Sequence, residues 1–213
     1  MERQPEPEYM DLADEADAYA QADFADVNAA FAERLAELTE NRPAWALDLG
    51  CGPVDIPIRV AALRPAWHIA AVDASWAMLA LAPNPPVLVH RIQADAKRLP
   101  VPDRVFDVVF SNSILHHLPN PEPFWQEVRR ISRPGTLILV RDLFRPESRA
   151  AARALVDHHA GTESPLLQEE FYRSLLAAFT PEEAREQLAM ANLKGLEVTT
   201  ITDRHLDIWG RLG

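Results

Sequence analysis

Three groups of residues in this 213-residue chain could do chemistry. The first is Asp48 with Gly50-Cys51-Gly52, followed 23 positions after Gly50 by Asp73, and further on by Asp95. Glycines at a strand end let a ligand lie against bare backbone, where a side chain would fill the space. Nearby carboxylates accept hydrogen bonds from sugar hydroxyls or an exocyclic amine. The second group is His116-His117, reached through Ser111-Asn112-Ser113. Imidazole has the pKa of a general base at neutral pH. Neighbours on a helical turn point apart, so both histidines are not expected to face one ligand. The third group is Arg141-Asp142, which could orient a polar acceptor. Cys51 is the single cysteine. It excludes an internal disulfide, suits a reducing cytoplasm, and reads as a small buried loop residue rather than a nucleophile.

These groups need elements to hold them. Ala44 to Leu49 reads as a buried strand and residues 55–64 as a helix, which makes Gly50-Cys51-Gly52-Pro53 a strand–turn–helix junction. Such junctions cradle nucleotides and related cofactors. Asp55 is the expected N-cap, with Pro57 in the first turn. Trp67 to Val72 is the second strand, ending at Asp73, at the spacing of a ribose-binding acid. Ser75 opens a short helix. Residues 87–92, 106–110 and 137–140 read as strands three, four and five, and the fourth is apolar enough to be central. A dinucleotide fingerprint would need a third glycine at position 55, where an aspartate would meet the pyrophosphate; a P-loop would need Gly-Lys-Ser/Thr. What remains is the pattern Asp-x-Gly-x-Gly over residues 48–52.

Asp48-Leu-Gly50-Cys-Gly52 resembles motif I of the class I S-adenosylmethionine-dependent methyltransferases, usually D/E-x-G-x-G-x-G. FDVVFSNSILHHL, residues 106–118, resembles the stretch after strand four in small-molecule members, paired histidines included. Residues 132–136 resemble their L-K-P-G-G turn, with Thr136 in the last place. The resemblance covers residues 44–213. It implies an α/β, Rossmann-like, mostly parallel seven-stranded sheet in the order 3-2-1-4-5-7-6. An acidic helical cap would occupy residues 1–43, and the methyltransferase-like domain, 44–213, would carry a helical insert over about 147–179. It also implies S-adenosylmethionine as cofactor, S-adenosylhomocysteine as product, and in-line transfer to an unidentified small molecule. Asp48, Gly50, Cys51 and Gly52 would lie beside the methionine part. Asp73 would take the ribose, with Ala74 and Met78 close by towards the adenine, which Asp95 and the N–H of Ala96 would bind. Asn112 and Ser113 would run between cofactor and acceptor, and Tyr19, Phe24 and Asn28 would belong to an N-terminal cover. His116, His117 and Asp142 are the catalytic candidates, and no metal ligands are expected.

One position departs from the family pattern: its third glycine falls on Val54. A β-branched residue restricts the backbone and occupies volume. Either the side chain turns into the core, or the chain is a methyltransferase-fold protein that binds cofactor weakly and does not catalyse. A nicotinamide oxidoreductase is a third reading, weakened by Asp55.

Composition narrows the partners. Residues 1–40 hold 12 acids and 2 bases; the remainder holds 20 and 19. The acidic start argues against nucleic acid, as does the lack of N-P-P-[YF] at 111–114. One cysteine and histidines in adjacent pairs argue against zinc. Asp95, Asn112 and Asp142 make no convincing catechol-type metal set. No apolar run is long enough to span a membrane and no secretory h-region is seen, so a cytoplasmic protein is expected. The expected partner is a small-molecule acceptor, not a nucleic acid or membrane, and monomer and homodimer both remain open. Residues 1–10, with Pro5 and Pro7, are expected to be loosely attached.

Overall fold

The computed structural model describes residues 1–6 and 24–213; Tyr19 and the helix expected over 11–21 lie outside the described residues. Seven strands form one sheet: β1 (Ala44–Leu49), β2 (Trp67–Asp73), β3 (Val89–Gln93), β4 (Phe106–Asn112), β5 (Ser132–Leu143), β6 (Leu196–Thr200) and β7 (His205–Arg211). The order is β3-β2-β1-β4-β5-β7-β6, as expected. β1 to β5 pair in parallel, and β7 runs antiparallel to β5 and β6. Helices α1 (Ala25–Glu37), α2 (Asp55–Leu63), α3 (Trp76–Ala80), α4 (Glu122–Ile131), α5 (Arg149–Ala160), α6 (Pro165–Ala177) and α7 (Pro181–Met190), with a 3₁₀ turn at Leu115–His117, complete the described elements.

The central strands are apolar because both sheet faces are covered. On one face Phe31 and Leu35 of α1 and Val60 of α2 share a core with Ile69 and Phe110. On the other, Trp125 and Val128 of α4 and Leu188 of α7 pack with Val109, Ile138 and Ile208. The helix pair α5–α6 has its own small core, with Val156, Leu175 and Leu176 against Leu143 at the end of β5. That seats the pair at the carboxyl edge of the sheet, where open α/β folds bind ligands.

Four local expectations differ. Asp55 is not the N-cap. Val54 holds that position at φ +66°, and Asp55 is the first helical residue, accepting from Asn28 Nδ2 at 2.9 Å and Arg59 Nε at 2.7 Å. β3 starts at Val89 because Val87, after Pro85-Pro86, is 90% exposed and outside the ladder. β5 starts early, at Ser132, which pairs with Phe106 before the register shifts. Residues 1–6 are not loose. Gln4 N donates to Leu176 O at 3.0 Å and Arg145 Nε to Met1 O at 3.1 Å. Arg3 donates to the carbonyls of Ala177 (2.5 Å), His116 (2.8 Å) and Leu118 (2.9 Å), with its guanidinium 3.8 Å above the Phe179 ring.

Candidate active site

A cavity of about 430 Å³ opens at the carboxyl edge of the sheet, within the size range of small-molecule sites. One side is built from the glycine turn. Gly50 and Gly52 adopt φ +73° and +51°. The amides of Gly50 and Cys51 donate to Val72 O at 2.8 and 2.9 Å, which folds the turn over the end of β2. A Cβ on Gly50 would overlap the Ile114 side chain, and one on Gly52 would stand 3.3 Å from Met78 Cε. Asp73 is set by two backbone amides: Gly52 N to Oδ2 and Ser75 N to Oδ1, both 2.8 Å. Asp95 Oδ1 accepts from Lys97 N at 2.8 Å and pairs with Lys97 Nζ at 3.1 Å, an Asx turn that also faces the cavity. Asp48 sits behind this wall. It borders a space of about 30 Å³ shared with Asn28, Gly50, Cys51 and Asn112, about the share of one water. Burial, then neighbouring Asp73, pushes its carboxyl well above the usual range. Burial likewise pushes the Cys51 thiol up, away from thiolate chemistry. Val54 is wholly buried in the α1-side core and does not line the cavity. Its left-handed backbone costs about 1–2 kcal/mol.

The opposite side is built from parts far apart in the chain. Ser113, at φ +61°, turns the backbone out of β4 into the 3₁₀ turn Leu115–His117. Asp142, buried at the end of β5, accepts from Leu115 N at 2.6 Å and His116 N at 3.3 Å through Oδ2. Its Oδ1 accepts from Leu143 N at 2.6 Å and meets His116 Nδ1 at 2.6 Å. Burial alone would raise Asp142, but His116 outweighs it and holds the carboxyl below its usual range. An ionised carboxylate only accepts, so Nδ1 of His116 carries the proton of that bond. Burial works against the imidazolium, and Asp142 outweighs that too, raising His116. His116 Nε2 lies 3.5 Å and His117 Nδ1 3.1 Å from Glu6 Oε1, and Ser174 Oγ donates to the same oxygen at 3.2 Å. Burial raises Glu6, against the pull of His116. His205 also lines the cavity, its pKa lowered to about 4 by burial and then by Arg204 and Arg141.

A family described as a methyltransferase domain matches residues 47–140, from β1 into β5. Malonyl-[acyl-carrier protein] O-methyltransferase of Enterobacter lignolyticus is 31% identical over 183 residues, 78% of this chain and 69% of that protein. The chain belongs to the class I S-adenosylmethionine-dependent methyltransferases. Trans-aconitate 2-methyltransferase of Methylobacterium radiotolerans is 32% identical over 111 residues, 52% of this chain and 42% of that protein. A solved structure of the plantazolicin methyltransferase BpumL, in complex with a pentazolic desmethylPZN analog and SAH, superposes with a TM-score of 0.76. Its identity is 14%, with 94% of this chain and 91% of that one covered, so the likeness is one of fold.

Gly50, Gly52, Asp73, Ala74, Met78, Asp95, Ala96, Asn112, Ser113, His116 and His117 all line this one cavity. Phe24 and Asn28 join them from the N-terminal side. Asp48 and Cys51 stand behind the glycine turn, and Asp142 reaches the cavity only through His116. Arg141 does not face it; its guanidinium is committed to Asp207 at 2.7 and 2.9 Å. His116 and His117 do converge on one atom, Glu6 Oε1, which His116 meets through Nε2 at 3.5 Å and His117 through Nδ1 at 3.1 Å; their ring centroids lie 4.2 Å apart. From α5–α6, His159, Phe171 and Ser174 line the cavity, whereas Tyr172 and His158 do not. Glu6 and Ser174 carried no sequence signal for a site. The donor atoms of Glu6, His116 and His117 lie within 4.8 Å of one another, so the adjacent histidines that argued against a metal gain a third neighbour from the N-terminus.

Proposed function

We propose that this methyltransferase is an active enzyme that binds S-adenosylmethionine and methylates a small molecule. The observation carrying this is the Asp73 carboxylate, fixed by the Gly52 and Ser75 amides at the mouth of the glycine turn. The residues fit the cofactor. The turn is closed to side chains at Gly50, and the acids beside it suit a sulfonium and an ammonium rather than a pyrophosphate. In this reading Asp73 and Asp95 would accept from ribose hydroxyls and an adenine amine, and Asp48 would support the glycine turn from behind at the amino-acid tail. When bound, S-adenosylmethionine supplies an electrophilic methyl group and a neutral leaving group.

The chain's own contribution is alignment, exclusion of water and proton removal. Ile114, Leu118 and Phe171 give the acceptor end apolar walls. His116, held by Asp142 through Nδ1, presents Nε2 toward that end and can take a proton there, the base-plus-orienter arrangement of general-base catalysis. Val54, turned into the core, supports cofactor binding over a silent fold. Two relatives are named for acidic groups, malonyl-[acyl-carrier protein] and trans-aconitate; the charges of this cavity favour another acceptor. Calorimetry with S-adenosylhomocysteine tests the reading. Binding in the ~1–100 μM range is expected, and the absence of binding contradicts it.

A further inference from the structure

The first six residues strap the end of α6 to the 3₁₀ turn. Arg3 is bonded to carbonyls on both sides, at Ala177 and at His116 and Leu118. The strap delivers Glu6, whose side chain is 7% exposed, to the cavity wall between His116, His117 and Ser174. Among the described residues, each Lys and Arg lining the cavity is paired with an acid. Lys97 pairs with Asp95 at 3.1 Å, Arg173 with Glu170 at 3.3 Å, and Arg204 with Asp203 at 3.2 Å. Among the described residues the polar end therefore offers a carboxylate and imidazoles, while the guanidinium and ammonium groups of the cavity are paired with acids. Phe24, Val27, Leu166 and Phe171 supply apolar lining beside it.

We propose that Glu6 selects the methyl acceptor: it accepts a hydrogen bond from an amine or hydroxyl group on an apolar skeleton and rejects an acceptor that presents a carboxylate. This rests on the methyltransferase reading above and narrows it. An ammonium or hydroxyl at His116 would meet Glu6 as donor to acceptor. A carboxylate there would meet a like charge at hydrogen-bonding distance in a cavity partly closed to water, where repulsion is weakly screened.

Three probes of one skeleton test it: phenethylamine, 2-phenylethanol and phenylacetate, titrated by ligand-observed NMR into the wild type and Glu6→Gln, which keeps size and removes charge. The wild type should bind the amine and the alcohol, with phenylacetate about tenfold weaker or worse. In Glu6→Gln phenylacetate should gain and the amine should lose about tenfold each, the size of one charge contact. Equal binding of phenylacetate and phenethylamine by the wild type, binding of none of the three, or an unchanged preference in Glu6→Gln overturns the proposal. So does one equivalent of Co²⁺ bound by the wild type and lost in Glu6→Gln, which would make the cluster a metal site. S-adenosylhomocysteine titrated into both proteins reports on the parent reading separately: its failure to bind the wild type removes that reading and leaves the probe preference readable.

Discussion

The two walls of the cavity are built in different ways. The glycine-turn wall is local: Gly50, Gly52, Asp73 and Ser75 lie within 26 consecutive residues and are joined largely through backbone amides. The histidine wall is assembled from Glu6, the 3₁₀ turn, the end of β5 and α6, and is joined through buried charged side chains. Backbone-built sites are tied to the sheet and tolerate surface change. A wall built from buried charges depends on each partner, because removing one leaves another uncompensated. Damage to the histidine wall should therefore appear first in stability and acceptor preference, and damage to the glycine wall in cofactor affinity.

The largest expected effect is on the histidine wall. Asp142→Ala leaves His116 and three backbone donors without their acceptor, and should lower unfolding free energy by about 3–5 kcal/mol, read by urea melts. A loss below about 1 kcal/mol would show that the wall does not depend on this charge. On the glycine wall, Asp73→Ala should weaken S-adenosylhomocysteine about 100-fold with the fold retained by circular dichroism, the effect of losing charge-assisted bonds; unchanged affinity would remove the ribose assignment. Arg3→Ala, which unties the strap, should cost about 1.5–3 kcal/mol and disturb the histidine wall while leaving S-adenosylhomocysteine affinity within about twofold.

The titrations sharpen the same contrast. The raised His116 makes a stability contribution that is fully present below its ordinary pKa of about 6.5 and lost as pH rises through its folded value. The depressed Asp142 contributes above about 3.9, and that contribution is lost as pH falls through its folded value. His205, lowered to about 4, has the opposite sign to His116: stability falls as pH drops from about 6.5 toward that value. Melting temperature against pH should flatten on the alkaline side in His116→Asn and on the acid side in His205→Asn. The smallest effect is expected of Val54→Gly. Relief of about 1–2 kcal/mol of left-handed strain offsets most of the buried side chain lost, about 1.5–3 kcal/mol. A large gain in S-adenosylhomocysteine affinity in this variant would mean that Val54 obstructs the cofactor.

The difference between the walls also explains what could be read from the sequence. The sheet order, the glycine turn and Asp73 follow from apolar runs and spacings within a few dozen residues. Glu6 and Ser174 touch although they are 168 positions apart, and neither stands in a periodic or motif context. The strap was opaque for a related reason: Arg3 and Gln4 bind through backbone carbonyls and amides, which no side-chain pattern reveals. Asp55 was misplaced by one position because a buried valine, rather than a capping side chain, occupies the left-handed turn before α2.

The central claim is that a nucleoside lies along the carboxyl edge of β1, β2 and β3, anchored by Asp73. A crystal structure with S-adenosylhomocysteine tests it most directly. The account predicts both ribose hydroxyls within hydrogen-bond distance of the Asp73 carboxylate and the amino-acid tail against Gly50 and Gly52. Adenosine density elsewhere in the cavity, with Asp73 facing only protein, would contradict it.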